Sequence, residues 1–231
     1  MTNPWFPKRW PALHPEHIQL YSMATPNGQK IGIALEEMNI PYDAHLIHIG
    51  KNDQFDEDYL KLSPNGKIPS ISDPNGPNGE QVFLMESGAI LLYLAEKTGL
   101  FLPKDPLEKM ECIQWLFFQV AHVGPMFGQF GHFFKFAADK TTDDYAKNRY
   151  LNESKRLLKV LDDRLANRDF IVGKDYTIAD MAIAPWVSCI DAFYKAGDVL
   201  ELGSFKNVAI WLSKVTSRPA YQRGKQVCSP A

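Results

Sequence analysis

The sequence predicts two domains: a small α/β domain with a mixed sheet of four strands, followed by a domain built only of helices. Three observations support this prediction. Residues 18–49 follow a strand, helix, strand pattern; residues 68–85 form a hairpin pattern that precedes a further helix; and strand signals vanish after residues 100–107. Period-two and period-3.6 spacing of apolar residues distinguishes the strands from the helices. With 231 residues, 45% of them hydrophobic, the chain is long enough to bury two cores.

The first strand begins at Ile18 and runs into a turn that starts a helix. Thr25 is a suitable N-cap, and Pro26 suits the first helical position because its missing N–H would have no partner there. The apolar face of this helix consists of Ile31, Ala34, Leu35 and Met38. A hydroxyl therefore lies at a helix N-terminus, where backbone N–H groups favour an anion. The alternative is a capped helix without further function.

The rest of the first domain follows from turn and proline signals. Strand 42–49 begins after Pro41, helix 54–62 follows, and strand 82–85 returns after the turn at 73–79. Pro69 lies inside a β-like run, which indicates an edge strand or a special backbone position, and a cis Ile68–Pro69 bond fits both. A helix then opens at Glu86-Ser87 and ends at Gly99.

Downstream, the periodic segments predict helices at 108–118, 145–165, 178–194 and 208–215. The third of these is apolar nearly all round and is expected to be the central buried helix. Thr177 and Asp180 form a capping box at its start, which gives Asp180 a structural role. Glycines and aromatic residues at 124–136 predict a break in the helices. Their rings are expected to wall a second-substrate pocket, with simple core packing as the alternative.

These patterns give the predicted domain boundaries: an N-terminal arm at 1–16, the α/β domain at 17–99, a linker at 100–107, the helical domain at 108–223 and a tail at 224–231. Four prolines disfavour regular structure in the arm, and its aromatic residues, Trp5, Phe6 and Trp10, are expected to dock it onto the first domain.

Composition excludes several classes of function. The net charge is −2, so no basic field attracts nucleic acid or an anionic membrane. No apolar run is long enough for a membrane span or a signal peptide, and we expect a cytoplasmic protein. The three cysteines lack a Cys-x-x-Cys spacing and the six histidines lack a ligand spacing, so no metal is expected. Any redox thiol must then come from a ligand.

Several sequence blocks resemble the glutathione S-transferase superfamily over residues 18–223. They are Ser-Pro-Asn-Gly-Lys-Ile-Pro from Ser63, Glu-Ser-Gly-Ala-Ile from Glu86, and Thr-Ile-Ala-Asp from Thr177. Thr-Pro-Asn-Gly-Gln-Lys from Thr25 and Trp-Leu-Phe-Phe-Gln from Trp115 are similar to the bacterial nu class. The resemblance implies a thioredoxin-like first domain, glutathione as co-substrate, a homodimer, and reduction of disulfides with some organic peroxide reduction and weak conjugating activity.

The resemblance also assigns glutathione-binding residues. Backbone N–H groups and the hydroxyl at Ser87 suit the γ-glutamyl carboxylate, while Glu86 suits the α-ammonium, with helix capping as the alternative. The backbone at Ile68, before Pro69, is expected to pair with glutathione as an added strand. By similarity, Gln54 and Lys67 reach the glycyl end. Gln119 also reaches glutathione by similarity, as does Arg149 from the partner subunit; Arg149 is otherwise a surface residue.

Thr25 and Asn27 are the predicted catalytic residues. A thiol with a pKa of ~8.5 needs a shift of about one unit, or ~1.4 kcal/mol, to be mostly ionised at neutral pH. A hydrogen bond to a charged acceptor contributes ~1.5–3 kcal/mol, so the Thr25 hydroxyl and an Asn27 N–H suffice to stabilise a glutathione thiolate. Tyr21, near the same strand, is the main rival. The alternative is that Tyr21 has no catalytic role and only packs in the core.

The expected function is therefore glutathione-dependent reduction of disulfides or organic hydroperoxides. Two alternatives stay open: a transferase that conjugates glutathione to electrophiles, and a non-enzymatic glutathione-binding regulator. One or two glutathione molecules are expected at each site, with a small disulfide, peroxide or electrophile as the second substrate.

Overall fold

The computed structural model describes residues 4–140 and 142–230 and contains four strands and nine α-helices within those ranges. The strands are β1 (Ile18–Ser22), β2 (Tyr42–Leu46), β3 (Ser70–Asp73) and β4 (Val82–Met85). The helices are α1 (Pro26–Glu37), α2 (Glu57–Leu62), α3 (Ser87–Thr98), α4 (Pro106–Phe118), α5 (Gly124–Gly131), α6 (Tyr145–Leu165), α7 (Ile178–Ala192), α8 (Lys206–Thr216) and α9 (Pro219–Gly224).

Two compact units divide the chain. The first runs to Thr98 and resumes at Pro219, and the second spans Gly99–Arg218. The predicted helical domain ends at residue 223, whereas α9 belongs to the first unit and packs there against α1. The sequence pattern predicts no helix at 219–224.

The sheet of the first unit has the strand order β2-β1-β3-β4, with β1 parallel to β2 and the other two pairs antiparallel. This confirms the predicted mixed four-stranded sheet of a thioredoxin-like domain. The Ile68–Pro69 peptide is cis, as predicted. The expectation of an edge strand is wrong, because β3 lies between β1 and β4. Pro69 precedes the first ladder residue, Ser70, so its missing N–H costs no ladder hydrogen bond.

The N-terminal arm packs on the first unit. Trp5 and Trp10 pack against a buried cluster made of Tyr21, Ile47, Tyr59 and Leu62. The Trp10 indole N–H donates to the Leu46 carbonyl at 3.1 Å. The backbone of Trp5 exchanges two hydrogen bonds with the Gln81 amide, both at 2.7 Å. The arm therefore packs aromatic side chains on the core and satisfies the hydrogen-bonding groups of the Gln81 amide.

Helices α1 and α9 approach closely because glycines lie at their contact. A Cβ added at Gly32 would lie 2.3 Å from the Gly224 carbonyl oxygen, and one added at Gly224 would lie 2.4 Å from the Ile33 Cα. Both distances are far below van der Waals contact. Any side chain at either position would push the two helices apart.

In the helical unit, α7 is the central helix, as predicted, and it packs against α4, α5 and α8. Its capping box is present, with the Thr177 N–H donating to Asp180 at 2.9 Å. The prediction that the helices break at 124–136 is wrong. Helix α5 covers Gly124–Gly131 and continues directly into a π-helical turn at His132–Phe136. Another π-helical turn, Gln119–Val123, precedes Pro125 and accommodates its missing N–H. Among the described residues, no helix combines the length and apolarity needed to cross a membrane.

Candidate active site

A small cleft of about 150 Å³ in the first unit gathers six of the predicted site residues. Asn27 comes from α1, Glu86 and Ser87 from the start of α3, and Lys67, Ile68 and Pro69 from the loop before β3; Ser63 and Met85 complete the lining. The loop and helix ends that surround the cleft therefore converge as the sequence predicted. Thr25 lies two residues before Asn27, at the same helix end.

At the start of α1, Thr25 is the N-cap. Its hydroxyl oxygen accepts the Gly28 N–H at 3.4 Å. A hydroxyl that accepts in this way keeps its own hydrogen for donation to another group. Gly28 is required here, because an added Cβ would lie 1.9 Å from the Met23 carbonyl oxygen. The turn thus combines an available hydroxyl donor with a helix N-terminus, a combination that stabilises an anion.

The loop before β3 is held by its own side chains. The Tyr59 and Ser63 hydroxyls both donate to the Lys67 carbonyl, at 2.7 and 2.8 Å. Within the described part of the chain, neither the N–H nor the C=O of Ile68 has a hydrogen-bond partner. A backbone with both groups unpaired beside a cleft suits an extended peptide. Lys67 extends an exposed ammonium at the same loop.

The junction of β4 and α3 places Glu86 and Ser87 side by side. Glu86 has a φ of 68°, in the left-handed region, which non-glycine residues adopt at an energetic cost. Ser87 is the first residue of α3 and is 7% exposed. Its hydroxyl oxygen accepts a hydrogen bond from the Lys30 ammonium at 3.1 Å. The junction therefore presents a carboxylate, a hydroxyl and a helix N-terminus to the cleft.

Two residues at the site were not predicted from the sequence: Ser63, which lines the cleft, and Lys30, which contacts Ser87. Lys30 lies on α1 and is only 1% exposed. Burial lowers its pKa to about 7, against the opposing effect of the nearby Glu86 carboxylate. The signal that was available is its position four residues before Ala34, on the buried face of the helix.

Gln54 does not line the cleft. Its side-chain oxygen is nevertheless buried without a hydrogen-bond partner, and its backbone carbonyl oxygen would lie 3.5 Å from a Cβ added at Gly66, the residue before Lys67. The proposed glycyl-end role of Gln54 thus stays a prediction.

Tyr21, the rival catalytic residue, is a core side chain. It is fully buried and stacks on His45 with a ring separation of 4.7 Å. Burial raises the pKa of its hydroxyl above the ordinary value. It is not among the residues that line the cleft, so the geometry favours the structural alternative.

The protein's own thiols are poor nucleophiles. Burial raises the pKa of Cys189 to about 11 and that of Cys228 to about 12, and it also raises the pKa of Cys112. All three are free of disulfides. Thiolate chemistry at neutral pH therefore has to use a ligand thiol.

Gln119 and Arg149 belong to the helical unit. Gln119 is fully buried at the start of the first π-helical turn, whereas Arg149 is exposed and lines a depression of about 620 Å³ formed with Met126 and residues of α6. Their contact with glutathione stays a prediction. In the same unit Phe127 and Phe130 are fully buried, so these rings are core and do not wall an open pocket.

One group of described residues, His14, His17 and Asp43, brings potential metal-ligand atoms within 4.8 Å of one another. Asp43 already accepts the Leu13 and His14 N–H groups, at 2.8 and 2.7 Å, and the His14 imidazole at 2.8 Å. These hydrogen bonds hold the arm against β2. The expectation of a protein without a metal is not tested by this arrangement.

Comparison with known protein families gives two matches along the chain. Residues 24–97 match the model of the glutathione S-transferase N-terminal domain, and residues 123–219 match that of the C-terminal domain. Two similar curated proteins are both from Escherichia coli. Disulfide-bond oxidoreductase YghU is 46% identical, with 93% of this chain and 75% of that protein covered. Disulfide-bond oxidoreductase YfcG is 45% identical, with 88% and 92% covered.

Solved structures show the same similarity. A glutathione transferase from Burkholderia graminis with two glutathione molecules per subunit has a TM-score of 0.94 and 50% identity, with 95% of this chain and 91% of that chain covered. One from Pseudomonas putida with one glutathione disulfide per subunit has a TM-score of 0.93 and 47% identity, with 95% of both chains covered.

Proposed function

Because the chain belongs to the glutathione S-transferase family, we propose that it is a glutathione-dependent disulfide-bond reductase. The observation that supports this best is the cleft itself. It combines an unpaired peptide backbone at Ile68, a carboxylate and hydroxyl at Glu86 and Ser87, and a helix end at Asn27, in a protein whose own thiols are not activated. The relatives named as disulfide-bond oxidoreductases agree with it.

The proposed binding mode follows the groups around the cleft. The Ile68 backbone pairs with glutathione as with an added strand, and the cysteinyl sulfur then lies toward the start of α1. The γ-glutamyl carboxylate binds the Ser87 hydroxyl and the N-terminus of α3, while Glu86 pairs with the α-ammonium. Lys67 and Gln54 bind the glycyl end. By the family resemblance, we also expect Gln119 and the partner subunit's Arg149 to contact glutathione.

The proposed chemistry needs only the ligand thiol. Thr25 and Asn27 donate hydrogen bonds that stabilise the glutathione thiolate. The thiolate attacks one sulfur of the acceptor disulfide, a new S–S bond forms, and the leaving thiolate takes the electron pair and then a proton. A second glutathione thiolate attacks the glutathione sulfur of the mixed disulfide and releases glutathione disulfide and the second thiol. Two glutathione molecules are oxidised for each disulfide reduced. Organic hydroperoxides are a second acceptor class: the thiolate attacks the terminal peroxide oxygen, the O–O bond breaks, and the alcohol leaves after taking up a proton. A second glutathione thiolate then attacks the sulfur of the resulting sulfenic acid and releases water and glutathione disulfide.

We assign the protein to the nu class, as a cytoplasmic homodimer without nucleic-acid or membrane partners. The class assignment rests on the sequence blocks around Thr25 and Trp115. The dimer assignment is supported by apolar side chains of α4 that the single chain leaves more than half exposed: Leu107, Met110 and Phe117. The three unpaired cysteines suit a reducing compartment.

The test is glutathione-dependent turnover of 2-hydroxyethyl disulfide, coupled to glutathione reductase, for the wild type and Thr25→Ala. Loss of one hydrogen bond to a charged sulfur is expected to lower kcat/KM about ten- to hundredfold. Thr25→Ser is the matched control, since it keeps both the hydroxyl and the N-cap, and it is expected to retain most of the rate. Glutathione binding is measured in parallel by calorimetry.

Each other outcome points to a different assignment. Equal rates for wild type and Thr25→Ala would transfer thiolate stabilisation to Asn27. Turnover of 1-chloro-2,4-dinitrobenzene without disulfide reduction would favour the conjugating transferase. Glutathione binding without turnover of either substrate would favour the regulator.

A further inference from the structure

Lys30 is a buried cation with no role in the proposed chemistry. Its side chain is 1% exposed, although a lysine rarely loses all contact with water. Helices α3 and α9 both pack on α1. A buried ammonium destabilises the folded protein unless it has partners. The contacts of Lys30 with residues of the cleft therefore bear on its function.

When Lys30 is protonated, its hydrogen bond with Ser87 has a fixed direction. A lysine ammonium has three donors and no acceptor, so the Ser87 oxygen must accept, at 3.1 Å. The hydroxyl hydrogen of Ser87 then has to point to another acceptor. Because Ser87 lines the cleft, the ammonium leaves this serine as a donor toward the cleft. A neutral lysine would allow the reverse arrangement, in which Ser87 donates to the amine.

The electrostatic surroundings of Lys30 favour an additional anion. The positive end of the α3 dipole lies at Ser87, which disfavours a cation there. Glu86 supplies one negative charge, and burial nevertheless lowers the pKa of Lys30 to about 7. A ligand carboxylate that accepts a hydrogen bond from the Ser87 hydroxyl would add a second negative charge. Only that hydroxyl would separate it from the Lys30 ammonium.

The other charged groups on the neighbouring helices are engaged or distant. On α9, Arg223 pairs with Glu36 at 2.6 Å. On α3, Lys97 pairs with Asp73 at 2.7 Å. Glu96 is nine residues beyond Ser87 along the same helix, about 13 Å of helical rise. Glu86, immediately before α3, is a nearby charge that opposes the lowering of the Lys30 pKa.

We propose that Lys30 is a positioning residue for the α-carboxylate of glutathione: its ammonium orients the Ser87 hydroxyl toward the cleft, and the bound carboxylate in turn holds the proton on Lys30. This inference rests on the proposed glutathione site. It adds that ligand binding takes up a proton at a residue that does not touch the ligand.

The first test measures that proton by calorimetry. S-methylglutathione is used as the probe, because it has no thiol to ionise. Its binding enthalpy is measured at pH 7.5 in phosphate and in Tris, two buffers that differ in ionisation enthalpy. We expect the wild type to take up more than half a proton and Lys30→Met to take up essentially none. Lys104→Met, which removes an exposed lysine of the helical unit, is expected to match the wild type.

The second test separates positioning from general structural damage. The peptide 4-aminobutyryl-cysteinylglycine lacks the α-carboxylate and otherwise matches glutathione. Lys30→Met is expected to raise KM for glutathione about tenfold with little change in kcat, and to leave KM for the shortened peptide nearly unchanged. Ser87→Ala should show the same pattern and provides the readout if Lys30→Met does not fold.

Equal losses for both peptides, or proton uptake that survives in Lys30→Met, would overturn the positioning role. A wild type that reduces disulfides but takes up no proton would also overturn it while leaving the proposed function intact. Proton uptake without disulfide turnover would reject the proposed reaction and retain the positioning role, since the latter requires only that glutathione binds.

Discussion

Replacing Lys30 by methionine should change how the stability of the protein depends on pH. The pKa of this lysine is lowered from 10.5 to about 7 in the folded protein, and burial is the main cause. Between these two values the unfolded chain binds the proton more tightly than the folded one, so the free energy of unfolding rises with pH across this window. Below pH 7 the full cost of the buried ammonium applies. Methionine has a similar length and no charge, so it removes the effect.

The size of the effect follows from the two pKa values. From pH 7 to pH 9 the unfolded chain keeps the lysine proton almost fully, while the folded protein goes from half-protonated to nearly deprotonated. Integrating the difference in bound protons over this interval gives about 2 kcal/mol. The wild type should therefore gain about 2 kcal/mol more stability than Lys30→Met between pH 7 and pH 9.

The assay is urea unfolding followed by tryptophan fluorescence at both pH values and at one protein concentration, because self-association shifts apparent stability. Lys104→Met, at an exposed position, is the matched control and should follow the wild type. Comparing differences between two pH values cancels the packing change that methionine introduces. Equal responses of wild type and Lys30→Met to pH would show that Lys30 is not a destabilised buried cation.

Two further predictions concern packing. Gly32→Ala would place a Cβ 2.3 Å from the Gly224 carbonyl oxygen and should cost about 2–3 kcal/mol by overpacking, seen as a lower thermal midpoint. Gly203→Ala, where an added Cβ meets nothing within 4 Å, should have little effect, and similar losses in both would contradict this. Asp180→Ala would leave buried donors of Ile171, Thr177 and Trp211 unpaired and should cost about 3–5 kcal/mol in urea unfolding; a loss below about 1 kcal/mol would contradict it.

The features that sequence reasoning predicts well here are those with local causes. The Thr25 cap and the capping box at Thr177 depend on residues two or three positions away, and the structure contains both. The mixed sheet follows from strand and turn signals along the first hundred residues. The site residues at Asn27, Lys67–Pro69 and Glu86–Ser87 gather as expected, because each lies at the end of a predicted element.

The features that were missed depend on contacts between distant parts of the chain. Nothing near Pro69 determines that β3 pairs on both sides, because strand order is set by the whole sheet. The short helix α9 has too few residues for a clear periodicity, and only its packing on α1 assigns it to the first unit. Lys30 is buried although hydropathy alone predicts an exposed lysine, and its hydrogen-bond partner Ser87 lies 57 residues further along the chain.

The return of the chain to its first unit has a consequence for how the protein is made. The ribosome synthesises the sheet and α1 first, then all of Gly99–Arg218, and only then α9 and the segment whose Cys228 carbonyl accepts the Ala24 N–H at 3.1 Å. The turn that presents Thr25 is therefore completed only after the whole helical unit has been synthesised. Until then the nascent first unit exposes the glycine face of α1, and shortening the chain from its C-terminal side would damage the cleft beside Thr25 before it damaged the helical unit.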